Sequence, residues 1–299
     1  MSQPFEEFPL QSATDALILM HRDVHFGGSF NVMLNYYEGG GKGISDMFEI
    51  SQIRRLAQLE QASGSNIAPS ILNGADAEKI AEAKKAYQQL KDLFDKRGNE
   101  FHYPQLIASL ILSEEEEPAE EIEAIVKEKN AIVPSLLEVL KSEKFYDPLF
   151  PGYGLAPSLA AKCLGLIGDK RAIISLFEEI GRRDFDHEDS LLQAIKKIGK
   201  PAKEFLITVV RGMPVNEDNE HAAIALAAFK EDPDVAEACY DLLHQINFDP
   251  LLPLTHYLIF ACEGLQDEEK REFLRKMMNT AGVSKDLALD IRSIADKWS

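Results

Sequence analysis

The densest group of side chains able to do chemistry is His21-Arg22-Asp23-Val24-His25-Phe26-Gly27-Gly28. His21 and His25 stand four apart, the spacing that puts two imidazoles on one face of a helix, and with Asp23 they offer a nitrogen, nitrogen and oxygen donor set for a divalent metal. A zinc-protease helix would need Glu at position 22, where Arg stands. The competing reading is structural: Arg and His near a helix C-terminus complement its dipole, and Gly27-Gly28 stop it. Downstream, Gly39-Gly40-Gly41-Lys42-Gly43 has the composition of a phosphate loop. Tyr36 stands where such a loop needs its first Gly, and Gly43 where it needs Ser or Thr after the Lys; the preceding strand is missing as well. A flexible connector between two helices is expected instead.

Two other segments are candidates for binding. Phe145-Tyr146-Asp147-Pro148-Leu149-Phe150-Pro151-Gly152-Tyr153-Gly154 is a turn carrying Phe145, Tyr146, Phe150 and Tyr153 where polar residues would suffice. These four rings are the expected partner-binding residues, because aromatics are common interaction anchors; the alternative is that they fold back over an irregular part of the core. Asn247–Leu252 is a shorter apolar insertion. His187-Glu188 and the reversed Glu220-His221 invite comparison with HEAT-repeat di-iron hydroxylases. That resemblance would imply several His-Glu dipeptides on successive helices, and one is present. A Gly-x-Ser-x-Gly elbow, a Cys-x-x-Cys pair and a zinc spacing are absent. Cys163, Cys239 and Cys262 each sit in an apolar helical run, where a thiol behaves as a small hydrophobe. No cofactor is called for.

The elements that must position these residues are helices. Apolar residues recur at i, i+3, i+4 and i+7, punctuated by Gly, Pro and Asp, and strand alternation is absent. Ser12 with Asp15 predicts a capped helix through Leu17, Leu19 and Met20. Further helices are predicted around Phe30–Tyr37 and Ile50–Ala57, then over Asp76–Arg97 before Gly98, and over Pro104–Leu112. From Pro118 onward helices come in pairs. Ala156, Leu159, Ala160, Cys163, Leu164 and Ile167 form one stripe ending at Gly168, followed by Ile173–Ile180 and Gly181. The pattern returns around Gly199 and Pro201, around Phe229 and Pro233, and from Pro253 to Met277, making about five pairs spaced roughly 31 to 36 residues apart. Lys285–Ser299 reads as a terminal cap.

Ala160-Ala161-Lys162-Cys163-Leu164-Gly165-Leu166-Ile167-Gly168-Asp169-Lys170-Arg171-Ala172-Ile173 resembles the HEAT-like repeat of phycobiliprotein lyases. In that repeat a small-residue helix ends in Leu-Gly-x-x-Gly-Asp and the next begins near Arg-Ala. The resemblance covers about residues 118 to 280, with the later copies more divergent. It implies an α-α superhelix of about five helix pairs. Together with the helical spacing the expectation is an all-α chain, with residues 1-112 as an N-terminal helical domain outside the repeat and 113-299 as the solenoid with its capping helix. It also implies, as an alternative activity, attachment of a tetrapyrrole to a protein cysteine; no further family residues map onto this chain.

Charge narrows the partners. Fifty acidic against 32 basic side chains give a formal net charge of -18, so phosphate-rich nucleic acid and anionic membranes are disfavoured. HEAT-like DNA glycosylases, which also exist, would need a basic face. Met1–Leu10 lacks a basic n-region, and no window of about 18 apolar residues occurs. The expectation is a cytoplasmic, non-catalytic interaction scaffold or assembly factor for a basic or neutral protein segment. An enzyme or ligand handler, with a metal near His21 and His25 or with lyase-like chemistry, is the alternative.

Overall fold

The computed structural model describes residues 12–96, 98–182, 185–246, 249, 253–280 and 283–298, with the backbone alone at 185 and 186. Met1–Leu10 and most of the Asn247–Leu252 insertion lie outside the described residues. Every regular element among those described is helical, and none of these helices is long and apolar enough to cross a membrane. Contacts divide the chain into two units: the described residues up to Glu128 with Pro134–Leu159, and Lys129–Val133 with the described residues from Ala160 on.

The first unit opens with α1, Ala13–His25. Ser12 and Asp15 close the expected capping box at its start, and Asp15, although buried, is also held by Arg55. α2 (Phe30–Gly39), α3 (Ile50–Ser63), α4 (Ala68–Ile71), α5 (Gly74–Asp95), α6 (His102–Leu112), α7 (Ala119–Lys127), α8 (Val133–Leu140) and α9 (Glu143–Tyr146) follow. α5 was expected over Asp76–Arg97; it starts two residues earlier because Asn73 is its cap, bonded reciprocally with Asp76. Ile18, Leu19, Phe26, Phe30, Met33, Ile53 and Leu56 pack α1, α2 and α3 into one core. Met20 on another face of α1 packs with Ile80 and Ala83 of α5 and with Leu149 and Phe150.

The second unit contains the end of α10 (Ala156–Ile167), then α11 (Ile173–Glu179), α12 (Phe185–Ile198), α13 (Lys200–Val210), α14 (Glu217–Leu226), α15 (Pro233–Gln245), α16 (Pro253–Ala261), α17 (Glu268–Met277) and α18 (Lys285–Ala295). Gly168 stops α10 at φ +72°, a left-handed conformation in which a β-carbon would be strained. Asp232 caps α15 through the Asp234 N–H, and Pro233 takes its first position, where no amide donor is needed. Cys163, Cys239 and Cys262 are buried and free, and burial pushes the first two thiols up to about 12. Trp298, the chain's one Trp, donates its indole N–H to the Glu263 carbonyl at 2.7 Å. Arg271 and Arg275 lie 5.6 and 5.5 Å from its ring centroid, so its emission reports on the folding of this unit.

Candidate functional site

His21 and His25 lie one turn apart at the end of α1, with ring centroids 4.4 Å apart. Asp23 is rotated about 200° around the helix from His21 and does not join them. It accepts instead from Arg22 Nε at 2.8 Å. His21 Nε2 lies 3.2 Å from the Gly43 carbonyl and His25 Nε2 lies 3.0 Å from the Pro148 carbonyl. A carbonyl only accepts, so both imidazoles carry their proton on Nε2, and His25 Nδ1 accepts from the Tyr87 hydroxyl at 2.9 Å. Among the described residues no group of three or more His, Cys, Asp or Glu is placed to hold a metal ion. The donor set read from His21, Asp23 and His25 is therefore not convergent: Asp23 turns to Arg22, and His21 Nε2 and both nitrogens of His25 already have protein partners.

Nor are these rings cations at the helix end. Burial pulls His21 down to about 4, opposed by its Gly43 bond, while burial and then the neighbouring His21 pull His25 down to about 3. Arg22 is the dipole-complementing charge that remains.

Phenols surround the pair. Tyr37 packs edge-on to His21 and burial raises it to about 12; its oxygen accepts from the Ser45 N–H at 3.2 Å. Tyr153 stacks near His25 at a centroid distance of 4.6 Å. Its backbone is left-handed, φ +57°, between Gly152 and Gly154 at +86° and +84°, a strained turn that directs the ring inward. Burial raises Tyr87 and Tyr153 above the ordinary phenol range, and the Glu114 carboxylate adds to both shifts. Tyr36 donates to Glu114 Oε2 at 3.1 Å and accepts from the Gly43 N–H at 3.3 Å, while Tyr153 reaches the same carboxylate oxygen at 3.5 Å.

The glycine-rich segment explains itself in this setting. A β-carbon on Gly41 would lie 2.4 Å from the Tyr36 ring, and one on Gly43 2.3 Å from the Tyr153 ring. Between them Lys42 is only 5 % exposed and donates to the Ser113 carbonyl at 2.8 Å, at the C-terminal end of α6 where a cation is favoured. Burial lowers its pKa, and the Glu114 and Glu121 charges oppose that. The expected flexible connector is thus fastened at its centre. His21, His25, Tyr36, Tyr87, Tyr153, Lys42 and Glu114 together form a polar lock joining α1, α2, α5, the segment after α6 and the turn at 147–154.

No protein-family model and no curated protein matches this chain.

The aromatic turn is reorganised relative to the partner-binding expectation. Phe150 is buried at 4 % exposure against Met20, Ile80 and Ala83, so it offers no anchor at the surface. Tyr153 belongs to the lock, and Tyr146, half-buried, donates to the Leu140 carbonyl at 2.9 Å. Phe145, also half-buried, lines a depression of about 340 Å³ with Glu82, Lys85 and Gln89. The turn folds back because Leu149 and Phe150 gain more from burial than from water, and ion pairs Lys79–Asp147 (2.6 Å) and Lys144–Glu82 (3.0 Å) strap it to α5. In the second unit Glu188 accepts from the Gly181 N–H at 3.1 Å, closing the turn after α11.

Sequence reasoning missed Arg22, whose side chain has no exposure at all. Its guanidinium bonds Asp23, Glu60 Oε2 at 2.6 Å and Asn66 Oδ1 at 3.0 Å, and lies 4.6 Å from the Phe30 ring centroid. Glu60, Asn66 and Phe30 all line an open cleft of about 810 Å³ beside α2 and α3. Four carboxamides on its walls, Asn31, Gln58, Gln61 and Asn66, were a signal that could have marked it.

The lock has a pH signature. Below about 6.5 the unfolded imidazoles bind protons that the folded ones refuse until about pH 4 and about pH 3. Native stability is therefore full above pH 6.5 and falls as the pH drops through that window, at roughly 1.4 kcal/mol per unit of depression for each ring. The expected result is a steep decline in unfolding free energy between pH 6.5 and 4, with ring proton resonances of the native state that do not titrate down to pH 5. Midpoints near 6.5 for His21 and His25 would contradict this burial.

Proposed function

We propose that this chain is a non-catalytic interaction module or assembly factor, built on a HEAT-like α-α solenoid, for a basic or neutral segment of a partner protein. The observation that carries the reading is the pattern of contacts in the second unit. α12 packs on α11 and α13, α13 on α14 and α15, α14 on α16, and α16 on α15 and α18. Neighbour-to-neighbour packing of this kind is what a stack of helical pairs requires. The sequence period extends the repeat over 113-299, with 1-112 as a separate N-terminal part; the contacts support it from Ala160 on and group residues 113–128 and 134–159 with the N-terminal ones instead. The net charge of -18 steers basic segments toward the surface, leaves neutral ones unopposed and repels polyanions. A cytoplasmic location fits the three free, buried thiols.

The test is cross-linking of the native chain, identification of the captured protein, and reconstitution from the two purified components. A stoichiometric complex on size exclusion, weakened as ionic strength rises, is the expected result. Purified candidates that never co-elute with the chain at low salt would refute the reading.

A further inference from the structure

The cleft beside α2 and α3 has a chemistry that the polar lock does not use. It lies wholly within the first unit, with Leu34 and Ala57 as its apolar floor. Asn31, Gln58, Gln61 and Asn66 on the walls are exposed. A carboxamide is the side chain that presents a donor and an acceptor as a peptide group does, so four of them around an apolar strip match an extended backbone. The Asn66 oxygen takes Arg22 Nη2 at 3.0 Å and the Ala68 N–H at 2.9 Å, which fills both lone pairs and leaves its NH2 as the remaining hydrogen-bonding group.

This wall is set before anything binds. A guanidinium without exposure is costly unless its bonds hold it, and Arg22 connects Asn66, Glu60 and Phe30 behind the cleft. Glu60 is further tied by the Ile67 N–H at 3.2 Å. Preorganisation of this sort lowers the entropic cost of binding.

Charge and ring exposure select among ligands. Glu60 shares the Arg22 guanidinium with Asp23, and Arg54 pairs with Glu38 at 2.7 Å, so both charged residues of the lining already have a counter-charge. A sugar would want an open aromatic face, whereas Phe30 is 5 % exposed and covered by Arg22.

We infer that this cleft binds an extended, uncharged segment of a partner protein, pairing its backbone with Asn31, Gln58, Gln61 and Asn66 and seating an aliphatic side chain on Leu34 and Ala57. The inference rests on the interaction reading above and narrows its partner from basic or neutral to neutral at this site.

The probes are fluorescein-labelled decapeptides of Ser, Thr, Ala, Leu and Val, matched sets with alternate Lys or Glu, and a neutral maltooligosaccharide, each titrated against the full chain. Uncharged peptides should bind best. Ala57→Trp, which fills the floor, and the double variant Gln58→Ala/Gln61→Ala should each weaken them about tenfold or more. The double variant should keep the wild-type melting temperature, since Gln58 and Gln61 stand at the surface, and it carries the test by itself if Ala57→Trp, whose position packs partly on the core, melts lower. The inference is overturned if no uncharged peptide binds at millimolar concentration, if both variants bind as wild type, or if a charged peptide or the oligosaccharide binds more tightly. A cross-linked partner that Ala57→Trp retains at full affinity would also overturn it, while leaving the interaction reading intact.

Discussion

Replacing Arg22 by Met lowers the stability of the first unit by about 3 to 5 kcal/mol, the usual result of removing one member of a buried charged network. The guanidinium has no exposure and holds two carboxylates, Asp23 at 18 % and Glu60 at 24 % side-chain exposure, together with the Asn66 amide. With Met in its place the methylenes still pack, but Asp23 and Glu60 lose their counter-charge in a confined site. Arg22→Lys recovers only part of the loss, because one ammonium cannot reach three acceptors in a fork. The measurement is urea unfolding followed by the near-UV circular dichroism of tyrosine, since most of the chain's tyrosines lie in this unit. A Met variant within about 1 kcal/mol of wild type would mean that the network contributes little.

The second large effect runs against helix propensity. Gly165 sits inside α10, where Ala is ordinarily favoured over Gly by about 1 kcal/mol. A β-carbon there would lie 2.7 Å from Ala194 Cα and 3.1 Å from its Cβ on α12. The obstruction is backbone, which cannot swing aside as a side-chain tip does, so the two helices must separate. Gly165→Ala is expected to destabilise by about 1 to 3 kcal/mol, and Gly165→Val by about 3 kcal/mol or more, as overpacking does. Trp298 emission during urea unfolding reads the change. An Ala variant as stable as wild type, or more so, would show that the close approach relaxes freely.

These two residues show where sequence reasoning ran out. Gly168 was legible as a stop, and its φ of +72° has the expected cause. Gly165, three residues earlier in the same Leu-Gly-x-x-Gly-Asp run, is needed for a different reason, the approach of α12, which no local pattern reveals. Arg22 looked like a dipole-complementing residue at the end of a helix. Its further role depends on Glu60 and Asn66, 38 and 44 residues away. Tyr87 lies on α5 with no local feature to single it out, and only its contact with His25 makes it part of the lock. For Phe150 the sequence leaves two readings, an anchor for a partner or a ring folded back over the core; the core pocket on α1 and α5 that receives it is invisible without the fold.

By itself the sequence determined what is local: that the chain is helical, where Ser12 caps, where Pro233 opens and Gly168 ends a helix. Such signals act within one turn through backbone sterics and hydrogen bonding, so they survive without knowledge of the neighbours. Tertiary structure alone decided the protonation of His21 and His25, the burial of Lys42 and Arg22, and the inward turn of Tyr153. Each depends on the withdrawal of water and on partners such as Pro148, 123 residues from His25, and Ser113, 71 residues from Lys42. Desolvation is a property of the packed interior, and a linear chain does not carry it.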